Sequence, residues 1–343
     1  MTRVCHRPPT RIRIRWDAGA PVAVGGSGGL RRGGPRARVP VGTAPQGRGR
    51  SGGRIAIMPV PGASSALRRA HYDRGMTSEI EIGRSKRARR AYSFDDIALV
   101  PARRTRDVRD VRVGWQLDAY HVDLPVMASP MDSVMSPDTA ILVGRLGGIG
   151  VLDLEGLWTR YEDPADALDR IRTAAPAEAT RVLQEVYSAP VRPELIAERL
   201  TRIREAGVVV AGRLSPAQTQ RHWRTAVDAG VDLLVIRGSV VSAEHVSGSA
   251  EPLNLRHFIY ELDVPVVVGG VTTYTAALHL MRTGAAAVLV GQGGGASSSV
   301  RQVLGLHAPM ATAVADVAAA RRDYLDESGG RYVHVIADGS VGN

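Results

Sequence analysis

Cysteine is nearly absent: Cys5 is the only one in 343 residues. A single thiol excludes an intramolecular disulfide and any cysteine-based zinc site, and it fits a reducing cytoplasm. Long apolar runs are missing too. Nothing approaches the roughly 18 consecutive apolar residues that a membrane-spanning helix needs. The N-terminus lacks the apolar core of a secretory signal, because arginine and glycine interrupt it throughout. Lysine does not occur in residues 1–75, which nevertheless carry fifteen arginines against two aspartates. Of the chain's 44 basic and 34 acidic side chains, that leaves 29 and 32 for residues 76–343. The net charge of +10 therefore belongs to the N-terminal segment, and the body is slightly acidic. A basic body that would bind nucleic acid is excluded.

Residues 1–75 are rich in Arg, Gly and Pro and show no sustained period of 2 or 3.6. Such a segment buries too little apolar area to offset its ordering entropy, so it is expected to be a disordered leader. It is either a translated region ahead of a start at Met76 or a nucleic-acid-binding tail. The body, residues 76–343, is expected to be one domain.

From Tyr92 onward the pattern alternates. Short apolar runs occur at Pro125–Ala128, Gly148–Leu152, Val208–Ala211, Leu233–Ile236, Pro265–Val268, Ala287–Val290 and Val333–Ala337. Helical stretches lie between them, among them Pro137–Leu146, Pro193–Ala206, Pro216–Ala229 and Thr273–Thr283. Ser-Pro or Thr-Thr opens several, which is N-cap chemistry, and Ala-Gly or Thr-Gly closes several, which is C-cap chemistry. Near-continuous apolar strands separated by helices predict a parallel sheet covered on both faces. Seven strands are visible where a closed (β/α)8 barrel has eight. The expectation is an α/β TIM barrel, incomplete, without the last strand and with Asn343 marking a truncated end.

The glycine-rich stretch Val288-Leu-Val-Gly-Gln-Gly-Gly-Gly-Ala-Ser-Ser-Ser-Val-Arg301 carries the most information. A strand runs into a glycine turn and then a helix, which is how a barrel builds an anion-binding loop. Pro125-Val-Met-Ala-Ser-Pro-Met-Asp132, Gly147-Gly-Ile-Gly-Val151 and Pro265-Val-Val-Val-Gly-Gly-Val271 precede it, and Val335-Ile-Ala-Asp-Gly-Ser340 follows. Tyr92-Ser-Phe-Asp-Asp-Ile-Ala-Leu-Val-Pro101 opens the series. In this order, over roughly residues 84–343, the motifs resemble the IMP dehydrogenase/GMP reductase family. Leu154–Thr201 is too short for the paired regulatory CBS module that many dehydrogenases insert there. The chain is most similar to the CBS-less, bacterial IMP dehydrogenase-related branch.

The resemblance implies an NAD-dependent oxidoreductase of purine (guanine) nucleotide synthesis that converts IMP to XMP. It implies a purine nucleoside monophosphate as partner and a homo-oligomer, a tetramer in the family. By the same resemblance Ser129 and Met131 line the base and ribose, and Asp338 accepts the ribose hydroxyls. Gly339 and Ser340 offer backbone N–H groups to the phosphate. Arg237, Gly238, Ser239, Gly291 and Gly293 fall on the cofactor side. Carbonyls of Gly293, Gly295 and Ser298 match those that bind a monovalent cation, K+. Each residue also has a plainer reading: Ser129 as a strand end, Met131 as core, Asp338 as a turn-former, and Gly293–Gly295 as a flexible turn.

Several positions depart from the family pattern. Ser298 stands where the family carries its nucleophilic cysteine, and a serine hydroxyl needs an adjacent general base. His307 is nine residues on, with no evident route to Ser298 in the sequence. Val300 replaces a threonine, Ala296 a phosphate-binding serine and Gly270 an asparagine. Arg237 replaces an aspartate, which reverses the charge there. Ser298 reads either as the nucleophile's stand-in or as a helix N-cap. Arg237 reads either as a phosphate partner or as one half of an ion pair at the barrel rim. The alternatives to an active dehydrogenase are a catalytically silent nucleotide-binding barrel and a non-functional fragment.

Overall fold

The structure, a computed structural model, describes residues 13–14, 79–100, 105–246, 248, 252–295 and 298–341. It divides into two compact units, Arg15–Arg90 and the remainder. In the smaller unit the described residues form an antiparallel hairpin, Glu79–Gly83 with Lys86–Arg89. The expected disordered leader lies outside the described residues, except that Arg13 and Ile14 bridge in parallel to Ala98 and Leu99.

The larger unit is built on seven parallel strands: β1 (Met127–Ala128), β2 (Ile149–Asp153), β3 (Ala211–Leu214), β4 (Leu233–Arg237), β5 (Val266–Val271), β6 (Ala287–Val290) and β7 (His334–Ala337). Each pairs with the next in sequence, from β1 at one edge to β7 at the other. Among the described residues no eighth strand joins the two edges.

Alternation along the strands separates two cores. One set of side chains, including Leu152, Leu214, Leu234, Ile236, Val268 and Val288, packs against the helices outside. The other gathers Ile149, Val151, Ala211, Leu233, Val235, Val267, Ala287 and Leu289 into a single cluster. Arg237 at the end of β4 also reaches Asp338 beyond β7 at 2.7 Å, past the two strands between them, so the sheet curls around a shared interior, as in an α/β barrel. Leu117 and Val122, from the hairpin Trp115–Leu117 and Tyr120–Val122, join the same cluster. Trp115 donates its indole N–H to Nδ1 of His334, the first residue of β7, at 3.0 Å. The hairpin therefore plugs the end of the interior where the strands begin.

The helices follow the expected punctuation. They are α1 (Pro137–Arg145), α2 (Ala165–Thr173), α3 (Ala179–Val186), α4 (Pro193–Glu205), α5 (Pro216–Asp228), α6 (Leu255–Tyr260), α7 (Tyr274–Arg282), α8 (Val300–Leu304) and α9 (Met310–Glu327). Ser136 caps α1 with its hydroxyl on the Thr139 amide at 3.1 Å, and Thr273 caps α7 through the Ala276 amide. Ser215, also expected as a cap, does otherwise. Its hydroxyl donates to Glu155 at 3.0 Å.

Strand β3 departs from the expected Val208–Ala211. The Val210 amide donates to the Asp232 carboxylate at 2.9 Å, so it is withdrawn from a ladder. Pairing instead begins at Ala211, opposite Val151 and Leu233, and runs through Arg213 to Leu214. A charged residue inside a short strand hid this extension from the sequence pattern, because Arg213 points into the mouth of the interior.

Candidate functional site

In an all-parallel sheet every strand delivers its following loop to the same rim. Ser129 and Met131 follow β1, Asp153 and Glu155 stand at the end of β2, and Arg213 lies near the end of β3. Arg237, Gly238 and Ser239 end β4, the glycine loop follows β6, and Asp338–Ser340 follow β7. All the sequence-predicted residues thus stand at one end of the sheet.

The rim carries a chain of charges. Arg213 reaches Asp153 at 3.1 Å and donates to the Arg237 carbonyl at 3.0 Å. Arg237 in turn donates through Nε to Asp338 at 2.7 Å, spanning from β4 to the end of β7. Of the two readings of Arg237, this geometry realises the ion pair. Asp338 is mostly buried, with 18% of its side chain exposed, so the pair is only partly screened by water. Burial also pushes the Asp153 carboxyl above its ordinary value, against the pull of Arg213. Arg213 Nε is buried without a partner among the described residues.

The glycine loop is a device for close approach rather than for flexibility. A Cβ on Gly291 would lie 2.4 Å from the Asp338 carbonyl oxygen. One on Gly293, at φ +63°, would lie 2.4 Å from the Leu306 carbonyl. The absence of side chains lets the loops after β6 and β7 and the Gly305–His307 segment meet backbone to backbone. Ser340 donates its hydroxyl to the Gly294 carbonyl and locks that contact. Gly238 continues the ladder beyond β4, donating its amide to Gly269 at 2.9 Å, and Ser239 is exposed beside it.

Ser298 occupies the start of α8. Its amide donates to the Gly295 carbonyl at 3.0 Å, and its hydroxyl accepts the Val300 amide at a long 3.4 Å. This is a turn just ahead of the helix; the N-cap position itself is Ser299, which makes no side-chain cap, so Ser298 does not take the expected capping role. The hydroxyl also faces a cavity of about 780 Å³ lined by Gly293–Gly295, Ser298, Arg301, His307, Ser340 and the loop Ser93–Asp95. His307, which has no visible link to Ser298 in the sequence, lines this same space. Its Nδ1 lies 3.3 Å from the Gln292 carbonyl. A carbonyl only accepts, so this contact favours the tautomer with a proton on Nδ1 and a free lone pair on Nε2. Only the fold-back of Gly305–His307 onto Gly293 reveals the proximity.

Ser129 is half-buried and its carbonyl accepts the Met131 amide at 2.9 Å, whereas Met131 is exposed at the rim and is not core. The residue between them and the helices that sequence reasoning passed over is Asp132. It accepts from the Leu157 amide at 3.0 Å and from the Tyr187 hydroxyl at 2.6 Å.

Residues 91–343 match the family model described as the IMP dehydrogenase / GMP reductase domain. The chain belongs to the IMP dehydrogenase/GMP reductase family. A Mycolicibacterium smegmatis protein named an uncharacterized oxidoreductase is 52% identical over 268 residues, 76% of this chain and 72% of the relative. The corresponding Mycobacterium leprae protein is 54% identical over 269 residues, with the same two coverages. An inosine-5'-monophosphate dehydrogenase of Haemophilus influenzae is 32% identical over 159 residues, 46% of this chain and 30% of that protein. Among solved structures, an IMP dehydrogenase/GMP reductase-like protein of Corynebacterium glutamicum superposes with a TM-score of 0.74. It is 49% identical and covers 79% of this chain and 72% of that one. The β2-to-β3 connection, with its two short helices α2 and α3, agrees with a family member built without a regulatory module at that point. No helix among the described residues is long and apolar enough to cross a membrane.

Proposed function

We propose that the rim binds a purine nucleoside monophosphate and that the chain oxidises it in the manner of its family. The reaction is IMP + NAD+ + H2O giving XMP + NADH + H+, in the cytoplasm. The observation that carries this reading is the convergence of the loops after β1, β6 and β7 on one end of the sheet, with Gly291 packed on Asp338. Asp338 would accept the ribose hydroxyls, a role suited to an acceptor-only group. Gly339 and Ser340 would present backbone amides to the phosphate, and Ser129 and Met131 would flank the base.

Ser298 would occupy the nucleophile position. Its hydroxyl is barely ionised near neutrality, so it works there only with a base, and His307 lines the same cavity. The nicotinamide dinucleotide supplies the hydride acceptor. The β4 end fits it in part: Gly238 and Ser239 leave the rim open, while Arg237 is drawn to Asp338. Carbonyls of Gly293, Gly295 and Ser298 would hold K+. That of Gly295 already accepts one N–H, which leaves one lone pair for an ion. A homo-oligomer, a tetramer by family, completes the proposal.

A second reading has its own support. The Ser298 hydroxyl already accepts an amide in the turn ahead of α8, and Arg237 already occupies Asp338. Both fit a barrel that binds nucleotide without turnover. The purified full-length chain, given IMP and NAD+, separates the two. NADH appearing in absorbance supports the oxidoreductase. Heat of IMP binding without NADH supports the silent binder. No heat with IMP, GMP or XMP overturns both.

A further inference from the structure

The connection between β2 and β3 has a small core of its own, in which Leu157, Ala167, Val182 and Val186 are buried together. Two of its ties to the barrel bear on the site. At one, Arg199 of α4, itself only 6% exposed, donates to the carbonyls of Trp158 at 3.2 Å and Glu162 at 2.6 Å. The other is Asp132, in the loop after β1.

Asp132 Oδ2 receives the Tyr187 hydroxyl at 2.6 Å and the Leu157 amide at 3.0 Å. Both donors belong to the inserted segment. Asp132 Oδ1 is buried with no partner among the described residues. It lies against Gly156, where an added Cβ would sit 2.3 Å away. Only glycine at 156 therefore leaves space for this carboxylate. Arg160 closes the other side, its guanidinium 5.7 Å from the centre of the Tyr187 ring. Burial raises the Asp132 carboxyl, and Tyr187 opposes that shift by stabilising the charged form. The same loop carries Ser129 and Met131. It is folded on itself by the Met131 and Met135 amides, which donate to the Ser129 and Met131 carbonyls at 2.9 and 2.8 Å.

We propose that Asp132 and Tyr187 are positioning residues through which the inserted helical segment, residues 157–192, fixes the loop carrying Ser129 and Met131 and thereby sets affinity for the nucleotide. The inference rests on the reading that this loop faces a purine nucleotide. Tyr187→Phe removes one donor and keeps the ring, so the barrel should still fold cooperatively, with its melting temperature lowered by only a few degrees.

The test uses full-length protein and two readouts. Hydrogen–deuterium exchange of peptides covering Ser129–Met135 should speed up several-fold in Tyr187→Phe, with strands β4 to β6 unchanged. The IMP dissociation constant, by calorimetry, should rise about tenfold, as expected for losing a hydrogen bond to a charged group. Asp132→Asn keeps an acceptor for Tyr187 and should fall between wild type and Tyr187→Phe in both measurements. Unchanged exchange in Tyr187→Phe overturns the proposal, and so does faster exchange with unchanged IMP affinity. Faster loop exchange in a chain whose wild type binds no IMP supports the positioning role and removes the nucleotide reading alone.

Discussion

The Cα of Gly291 faces the Asp338 backbone so closely that a Cβ would lie 2.4 Å from its carbonyl oxygen. Gly291→Ala therefore pushes the loops after β6 and β7 apart. We expect a loss of about 1–3 kcal/mol of stability, the usual cost of forced overpacking, read from the denaturant midpoint. Asp338 itself can be tested without that strain. If it holds the ribose hydroxyls, Asp338→Asn weakens IMP binding by about tenfold to a hundredfold, because a hydrogen bond to a charged acceptor becomes a neutral one. An unchanged dissociation constant would assign Asp338 to Arg237 alone. Both residues are visible in the sequence as a glycine after an apolar strand and an Asp-Gly pair. Their contact is not, since 46 positions separate Gly294 from its partner Ser340 in the same loop pair.

Among the elements, the hairpin Trp115–Leu117 and Tyr120–Val122 has the least sequence signal for the packing it provides. Leu117 is 1% exposed and sits among strand side chains from β2 to β6. Leu117→Ala should cost about 2–5 kcal/mol, seen as a lower denaturant midpoint, because the interior cannot collapse around the cavity it leaves. A smaller change would mean that the plug yields and refills the space. The strands and helices of the barrel were legible because period and punctuation agree: Ala206-Gly207, Ala229-Gly230 and Thr283-Gly284 all close helices with glycine at positive φ. β3 was misplaced by three residues because Asp232, not a neighbouring strand, takes the Val210 amide.

For the whole molecule, acid stability provides a test. His334 lies edge-on to Trp115 and to Tyr332, with ring centres 5.6 and 4.9 Å away, and it accepts the Trp115 N–H on Nδ1. Burial and the nearby Arg321 hold its imidazole below the ordinary value, and burial does the same to His222. Because the folded value is depressed, the unfolded chain takes up protons first. Stability is therefore full above the ordinary histidine value of about 6.5 and declines as pH falls below it. Asp132 and Asp153, raised by burial, act in the opposite sense, with stability lost as pH rises through their folded values. His334→Asn keeps an acceptor and does not titrate. Between about pH 5 and 7 its melting temperature should fall less steeply than that of the wild type. Parallel curves would remove His334 as the cause.

The sequence by itself determined the family and the parallel α/β architecture, and it named the loops proposed to carry the site. Those follow from local pattern: apolar runs of strand length, capped helices between them, and glycines where no side chain fits. It also displayed Ser298 and Arg237 where the family resemblance implies a cysteine and an aspartate, two exchanges. What those exchanges mean depended on the tertiary structure, because it is decided by partners far apart in the chain. Arg237 meets Asp338 across the mouth, His307 folds back to line the Ser298 cavity, and Tyr187 grips Asp132. Ion pairs and hydrogen bonds act over a few ångströms, and only the curled sheet brings residues about 55 and 101 positions apart within that range.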